Sequence, residues 1–332
     1  MGSIPKELDT ELLPFVRIYK DGSVERLIGS PYVPPSPQDP ETGVSSKDIT
    51  ISLNPSISAR LYLPKLDETA QTQNQKLPIL VYYHGGGFCV ESAFSSDHQQ
   101  FLNSLVAQAQ VVAVSVEYRL APEHRLPVAF EDSWAALQWV ASASDSNSTD
   151  EDNIGVNEEP WLVNHGDFKR VFVGGDSAGA TIAHNIVMRA GAESLRGGVK
   201  ILGSFLTHPY FWGSEPVGSE PIEGHDKALP QVVWNFTYEA APGGIDSPCI
   251  NPTGPEAPSL AGLGCSRLLV TVAEKDELRD RGVVYYDEVK KSKWEGEAEF
   301  VHVDGEDHAF HVLLFGSENS KNLIKRLASF LK

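Results

Sequence analysis

Apolar residues along this chain fall in short continuous runs, separated by polar stretches rich in Gly and Pro. SARLYLP (58–64), LPILVYYHG (77–85), VVAVSVEYR (111–119), RVFVGG (170–175), ILGSFLTHP (201–209), RLLVTVAEKD (267–276) and AEFVHVDG (298–305) each read as a strand. Most are rich in Val, Ile and Leu without alternation, the pattern of strands covered on both faces in a parallel sheet. Four stretches carry helical patterns instead: DSWAALQWVASA (132–143), AGATIAHNIVMRAGA (178–192), RDRGVVYYDEVKKSK (279–293) and NSKNLIKRLASFLK (319–332). Strands alternating with helices predict an α/β fold, a doubly wound and mostly parallel sheet with helices on both faces.

Two stretches break the rhythm. Residues 144–160 (SDSNSTDEDNIGVNEEP) are acidic and polar and predict a surface loop. The interval after Pro209 and before Arg267 is too long for an ordinary connection and holds aromatics among many Gly and Pro. It predicts an insertion above the sheet, built together with the polar, Pro-rich N-terminal fifty residues. The expected organisation is one domain over 1–332, with a cap formed by about 1–50 and 210–260.

The chemistry is concentrated in GGDSAGA (174–180), where a strand pattern meets a helix pattern. Gly175-Asp176-Ser177-Ala178-Gly179 fits G-x-S-x-G in the strand–turn–helix context of a nucleophile elbow. Such a turn exposes Oγ at the carboxyl edge of the sheet and aims the free N–H groups of the next helix at any oxyanion formed there. A dinucleotide loop does not fit, because Asp176 breaks G-x-G-x-x-G, and no Lys follows for a P-loop.

A serine nucleophile needs a base, and the base needs an orienting acid. Asp276 and His308 follow the next strand patterns in the order Ser, Asp, His. Glu274 and Asp280 are rival acids; Asp276 is preferred because it stands one step past the apolar run. His302 and His311 are rival bases, but His302 lies within a strand pattern and His311 falls a turn later. The third component is His84-Gly85-Gly86-Gly87 after LPILVYY. Glycines admit backbone N–H groups close to a substrate, so Gly86, Gly87 and Ala178 are the expected oxyanion donors. His84, Tyr118, Arg119, Glu123 and His124 read as supports of the glycine loop, and His184 and Cys89 as packing residues.

Composition narrows the partners. The 332 residues are 41% hydrophobic and 22% charged, as in a globular protein, with a formal net charge of −18. That charge argues against nucleic acid and anionic membranes. No apolar run approaches the length of a membrane helix, and the N-terminal text matches neither a secretory signal nor a myristoylation pattern. The three cysteines, Cys89, Cys249 and Cys265, show no metal or redox spacing. A cytoplasmic location follows as an expectation, and the sequons at Asn147 and Asn235 read as chance matches. No metal or cofactor is expected; the expected partner is a small-molecule ester, and the oligomeric state is left open.

HGGGF (84–88), EYRLAPEHRLP (117–127), GDSAG (175–179), the Asp276 region and DGEDHAFH (304–311) resemble the hormone-sensitive-lipase-like branch of the α/β hydrolases. YKDGSVERL (19–27), VPPS (33–36) and TGVSSKDITI (42–51) are similar to its plant carboxylesterases. The resemblance covers nearly the whole chain, with Ala180 replacing a usual glycine. It implies an α/β-hydrolase fold with a helical cap, and a serine carboxylesterase acting on small hydrophobic esters through Ser177, Asp276 and His308. Phe88, Asp176 and the cap aromatics Phe211, Trp212 and Trp234 are the candidate substrate-binding residues, the aromatics reading equally as cap core. The branch also implies two alternatives: a gibberellin-type receptor, whose members have lost the histidine present here, and a dehydratase, in which the nucleophile position tends to differ.

Overall fold

The computed structural model describes residues 6–66, 76–144 and 159–332. The strands are β1 (Leu8–Leu12), β2 (Val16–Tyr19), β3 (Val24–Arg26), β4 (Ser45–Leu53), β5 (Ser56–Leu63), β6 (Leu77–Tyr83), β7 (Val112–Glu117), β8 (Gly166–Asp176), β9 (Ile201–Thr207), β10 (Arg267–Ala273) and β11 (Glu297–Val303). The helices are α1 (Ser96–Ala109), α2 (Val128–Ser142), α3 (Pro160–His165), α4 (Ala178–Ala192), α5 (Leu229–Thr237), α6 (Arg279–Lys291), α7 (Phe310–Leu313) and α8 (Glu318–Phe330).

Eight strands form one sheet in the order β11-β10-β9-β8-β6-β7-β5-β4. From β11 to β7 all neighbours are parallel; β5 and β4 join antiparallel at one edge. All of β6 is buried, as its unbroken apolar run requires. Its side chains alternate between two cores. Leu80 and Tyr82 pack with Phe101 and Leu105 of α1 and Leu327 of α8. Ile79, Val81 and Tyr83 join Leu137 of α2 and Ile182 and Ile186 of α4 on the other face. The chain leaves β6 toward β7 on one side and returns to β8 on the other. The carboxyl ends of β6 and β8 therefore meet where the strand order reverses, the place at which open α/β sheets bind ligands.

Every strand and helix expected from the apolar runs is present. Two elements carry weaker patterns. β4 is an edge strand of half-exposed Ser, Lys, Asp and Thr, covered on too little surface to need an apolar run. In α1, Phe101, Leu102, Leu105, Val106 and Ala109 fall at helical spacing, but Asp, His, Gln and Asn between them dilute the stripe.

The cap differs from the expected form. Over residues 8–26 it is a three-stranded antiparallel sheet, β1-β2-β3, not helical, and 45–53 belongs to the main sheet. The later insertion supplies one nine-residue helix, α5, and short 3-10 turns. Leu12 and Val16 are buried beneath this roof, and β1 lies against α5. The polar stretch of residues 145–158, with the Asn147 sequon, lies outside the described residues; Asn235 is in α5.

Candidate active site

Ser177 occupies the corner between β8 and α4 with φ 52° and ψ −121°, a backbone conformation rare for any residue with a side chain. Its N–H donates to Thr207 O at 2.9 Å, which pins the corner to β9. Both flanking glycines are forced by contact. A Cβ on Gly175 would lie 2.4 Å from Gly179 C, and one on Gly179 would lie 2.0 Å from Tyr83 O. The motif is thus a packing requirement of β8 and α4 against β6.

The acid and base arrive from the ends of β10 and β11, with β9 lying between β8 and β10. His308 Nε2 lies 2.8 Å from Ser177 Oγ, and His308 Nδ1 lies 2.7 Å from Asp276 Oδ2. Asp276 Oδ1 accepts from the Leu278 N–H at 2.9 Å, so the carboxylate is held at both oxygens. Burial pushes the His308 imidazole toward the neutral form, but the charge and hydrogen bond of Asp276 outweigh it and raise the pKa above the ordinary 6.5. Three of the four rivals are hydrogen-bonded elsewhere, and His311 is buried with its ring against Phe101 and His208. Asp280 accepts from Ser219 and pairs with Arg279, Glu274 accepts from Gly305 N–H, and His302 bonds Asp304.

The glycine loop leaves β6 beside this corner. Gly86 (φ 106°) and Gly87 (φ 58°) border the same cavity as Ser177. Ala178 is the first residue of α4, where an N–H has no carbonyl one turn earlier. His84 stacks on Tyr118 with ring centroids 4.2 Å apart, and Tyr118 Oη donates to His84 O at 2.6 Å. Arg119 clamps Asp132 of α2 through two side-chain bonds of 2.9 and 2.7 Å. Arg26 joins Cys89 O to the Glu123 carboxylate. These residues support the loop. Cys89 is buried, which pushes its thiol up to about 12, far from a nucleophile's range.

Asp176 borders the cavity, but its carboxylate is spent within the protein. Oδ1 accepts from Tyr82 Oη and from Gly85 N–H at 3.1 Å, tying the elbow to the glycine loop. His98 Nε2 stands 3.5 Å away. Burial works against a cation at His98, yet Asp176 and Glu91 together raise its pKa to about 9. The same imidazole holds Asp176 well below the usual carboxylate range against its own burial. Glu91 accepts from Ser30 N–H at 2.7 Å and Ser30 Oγ at 3.1 Å, fastening the Ile28–Ser30 segment over the cavity. Neither Glu91 nor His98 was marked by a sequence pattern, because their roles depend on the folded N-terminal segment.

The cavity above Ser177 has a volume of about 540 Å³. Its walls come from Phe15 and Ile28 of the N-terminal segment, Val233 of α5, Leu278, and Val312 of α7. Four expected wall residues are elsewhere. Phe88 (φ 61°) turns away from the cavity to pack on Phe130, Tyr210 and Trp234. Phe211 lies against His184 and Tyr285, and Trp212 stacks on His225 beneath the Arg281 guanidinium. Trp234 is fully buried and donates from Nε1 to Gly244 O at 2.9 Å. These large rings form the core that the cap needs, and its smaller aliphatic residues face the cavity. Val233→Ala is therefore expected to raise the preference for octanoyl over acetyl p-nitrophenyl esters by roughly tenfold. Trp234→Phe should leave that ratio unchanged and cost about 1–2 kcal/mol of stability through the lost hydrogen bond; a kcat/KM series and thermal melts check both.

Among the described residues, the cluster with metal-ligating atoms is His208, Asp276 and His308, one atom of each lying within 4.8 Å of the others. The Asp276–His308 hydrogen bond already joins two of the three.

A family model described as alpha/beta hydrolase fold matches residues 80–312. The chain belongs to this family, in the plant, hormone-sensitive-lipase-like branch. It is 59% identical to a 2-hydroxyisoflavanone dehydratase of Glycyrrhiza echinata over 98% of this chain and 97% of that one. It is 42% identical to probable carboxylesterase 13 of Arabidopsis thaliana, covering 98% of each. A hyperthermophilic esterase from the archaeon Pyrobaculum calidifontis superposes with a TM-score of 0.67 at 30% identity, over 86% of this chain and 82% of that one. No helix among the described residues is long and apolar enough to cross a membrane.

Proposed function

We propose that the protein is a serine carboxylesterase that cleaves esters of small hydrophobic molecules through an acyl-enzyme on Ser177. The observation that carries this reading is the continuous chain Ser177 Oγ–His308 Nε2 (2.8 Å) and His308 Nδ1–Asp276 Oδ2 (2.7 Å) on the floor of an apolar cavity. His308 takes the Oγ proton as Oγ attacks the ester carbonyl, and Asp276 stabilises the imidazolium. The oxyanion forms beside the N–H groups of Gly86, Gly87 and Ala178. Collapse expels the alcohol, which takes the proton from His308. Water, activated by the same imidazole, then releases the acid.

Only neutral His308 can accept the proton, so kcat/KM rises as pH rises through its pKa. Because Asp276 holds that pKa above 6.5, the acidic limb should have its midpoint above 6.5. Asp276→Asn removes the charge that does most to oppose burial, leaving only the weaker pull of Asp176 and Glu277, so the limb moves to lower pH while the rate falls. A limb midpoint below 6.5 in the unmodified enzyme would contradict the assignment.

The test is release of nitrophenol from p-nitrophenyl butyrate by the purified protein beside Ser177→Ala. A second reading is favoured by the printed names of two relatives, 59% and 53% identical, which are 2-hydroxyisoflavanone dehydratases. In that reading His308 removes a proton α to a ketone and the proposed oxyanion donors hold the enolate oxygen; the enolate then collapses to the C=C bond as the β-hydroxyl leaves, taking the proton from His308 to depart as water. No acyl-enzyme is needed there. Dehydration of a 2-hydroxyisoflavanone that survives Ser177→Ala, in a protein inert toward esters, favours the dehydratase. Ester turnover lost with Ser177 favours the esterase. The intact histidine disfavours the receptor alternative, which would show tight binding of a small acid and no turnover.

A further inference from the structure

His208 stands immediately after β9 and is almost wholly buried. Its backbone is left-handed (φ 49°), and its N–H donates to Thr271 O of β10 at 2.8 Å. Its Nδ1 accepts from the backbone N–H of Ala309, the residue after His308, at 3.1 Å. An Nδ1 that accepts must be unprotonated, so the ring proton is on Nε2, which has no hydrogen-bond partner among the described residues. The ring is held between Phe310 and His311, with centroids 5.3 and 5.2 Å away. The triad mechanism uses none of this.

The loop that carries His308 is tied down unevenly. Ahead of the histidine, three bonds join it to the β10 end near the surface: Gly305 N–H to Glu274, Lys275 Nζ to Gly305 O, and Lys275 N–H to Glu306 O. Behind the histidine the chain reverses through Ala309 (φ 54°) into α7. At that reversal, the hydrogen bond to His208 is a buried tie between the loop and the sheet.

We propose that His208 is a positioning residue for catalysis: its Nδ1 fixes the Ala309 backbone, and thereby keeps the His308 ring aligned with both Ser177 and Asp276. The inference rests on the esterase reading of His308. A histidine suits this place because its acceptor is rigidly set close to the main chain. A shift of about 1 Å in a catalytic group can cost about 10²-fold in rate.

Two polar substitutions separate the roles of the two ring nitrogens. In His208→Asn the side-chain oxygen can occupy the place of Nδ1, and Asn tolerates a left-handed backbone. In His208→Gln the polar end falls near the place of Nε2. With p-nitrophenyl butyrate, and active sites titrated by an organophosphate, His208→Gln should lower kcat by roughly 10–100-fold with KM nearly unchanged. His208→Asn should restore kcat to within a few fold. The low-field proton resonance of the His308–Asp276 hydrogen bond should persist in His208→Asn and shift or broaden in His208→Gln. Wild-type kcat in His208→Gln, equal impairment of both variants, or an effect confined to KM would overturn the proposal. His308→Ala is the control. If it is silent while His208→Gln is unimpaired, only the positioning role falls. If His308→Ala turns over normally, the esterase reading falls with it.

Discussion

Ser177→Ala should reduce kcat for p-nitrophenyl butyrate by about 10⁴–10⁶-fold, with the folded protein and its thermal midpoint little changed. The variant removes Oγ, the atom 2.8 Å from His308 Nε2, and among the described residues that oxygen makes no other hydrogen bond. The corner is fixed by backbone bonds: Ser177 N–H to Thr207 O, and the N–H groups of Ala180 and Tyr210 to Ser177 O. Alanine at φ 52° suffers the same backbone strain as serine, so it adds no new conformational cost. Residual turnover from the oxyanion donors and from binding is expected, since these survive the loss of a triad member. Equal activity in wild type and variant would mean that the ester is cleaved elsewhere.

Gly86→Ala should lower kcat by about 10²–10³-fold, or about 2.7–4 kcal/mol, the cost of losing one oxyanion donor. The added Cβ would lie 2.2 Å from Val90 O, a backbone atom, and φ 106° is a conformation that L-residues rarely adopt. Gly86 O also receives the N–H groups of Cys89 and Val90, each at 3.0 Å, so the strain falls on the turn that carries the proposed donors. The loss should appear in kcat and kcat/KM together, because the donors act on charge that develops in the transition state. Gly262→Ala is the control. Its Cβ would meet only Met188 Cε, at 3.7 Å, and kinetics and melting should match wild type. A Gly86→Ala enzyme with wild-type kcat would move the oxyanion site away from this loop.

Some of the structure could be read before folding because it arises from local constraints. An unbroken apolar run such as LPILVYY can be buried only in the middle of a covered sheet, and β6 is there. The two glycines around Ser177 are needed because the corner brings backbones within contact, so their spacing carries the geometry in the text. The order Ser177, Asp276, His308 follows from the chain order of the parallel strands β8, β10 and β11, whose carboxyl ends carry them.

Other features carry no local trace. A tryptophan in a cap sequence fills the core or lines the cavity with the same surrounding text. Val233 faces the cavity while Trp234, one residue on, is fully buried, and only the seating of α5 on β1 separates them. Polar edge segments such as β1 to β3 become strands through pairing partners that their own alternation does not announce. The sequence by itself determined the layered α/β architecture, the glycine-flanked corner at Ser177 and the chain order Ser177, Asp276, His308, because these depend on residue type at fixed spacing and on the order of the strands. The tertiary structure alone decided the cavity walls, the Glu91–His98–Asp176 network and the bond from His208 to Ala309. Those join residues from distant elements, and their energies come from burial and charge that exist only once the chain has closed around them.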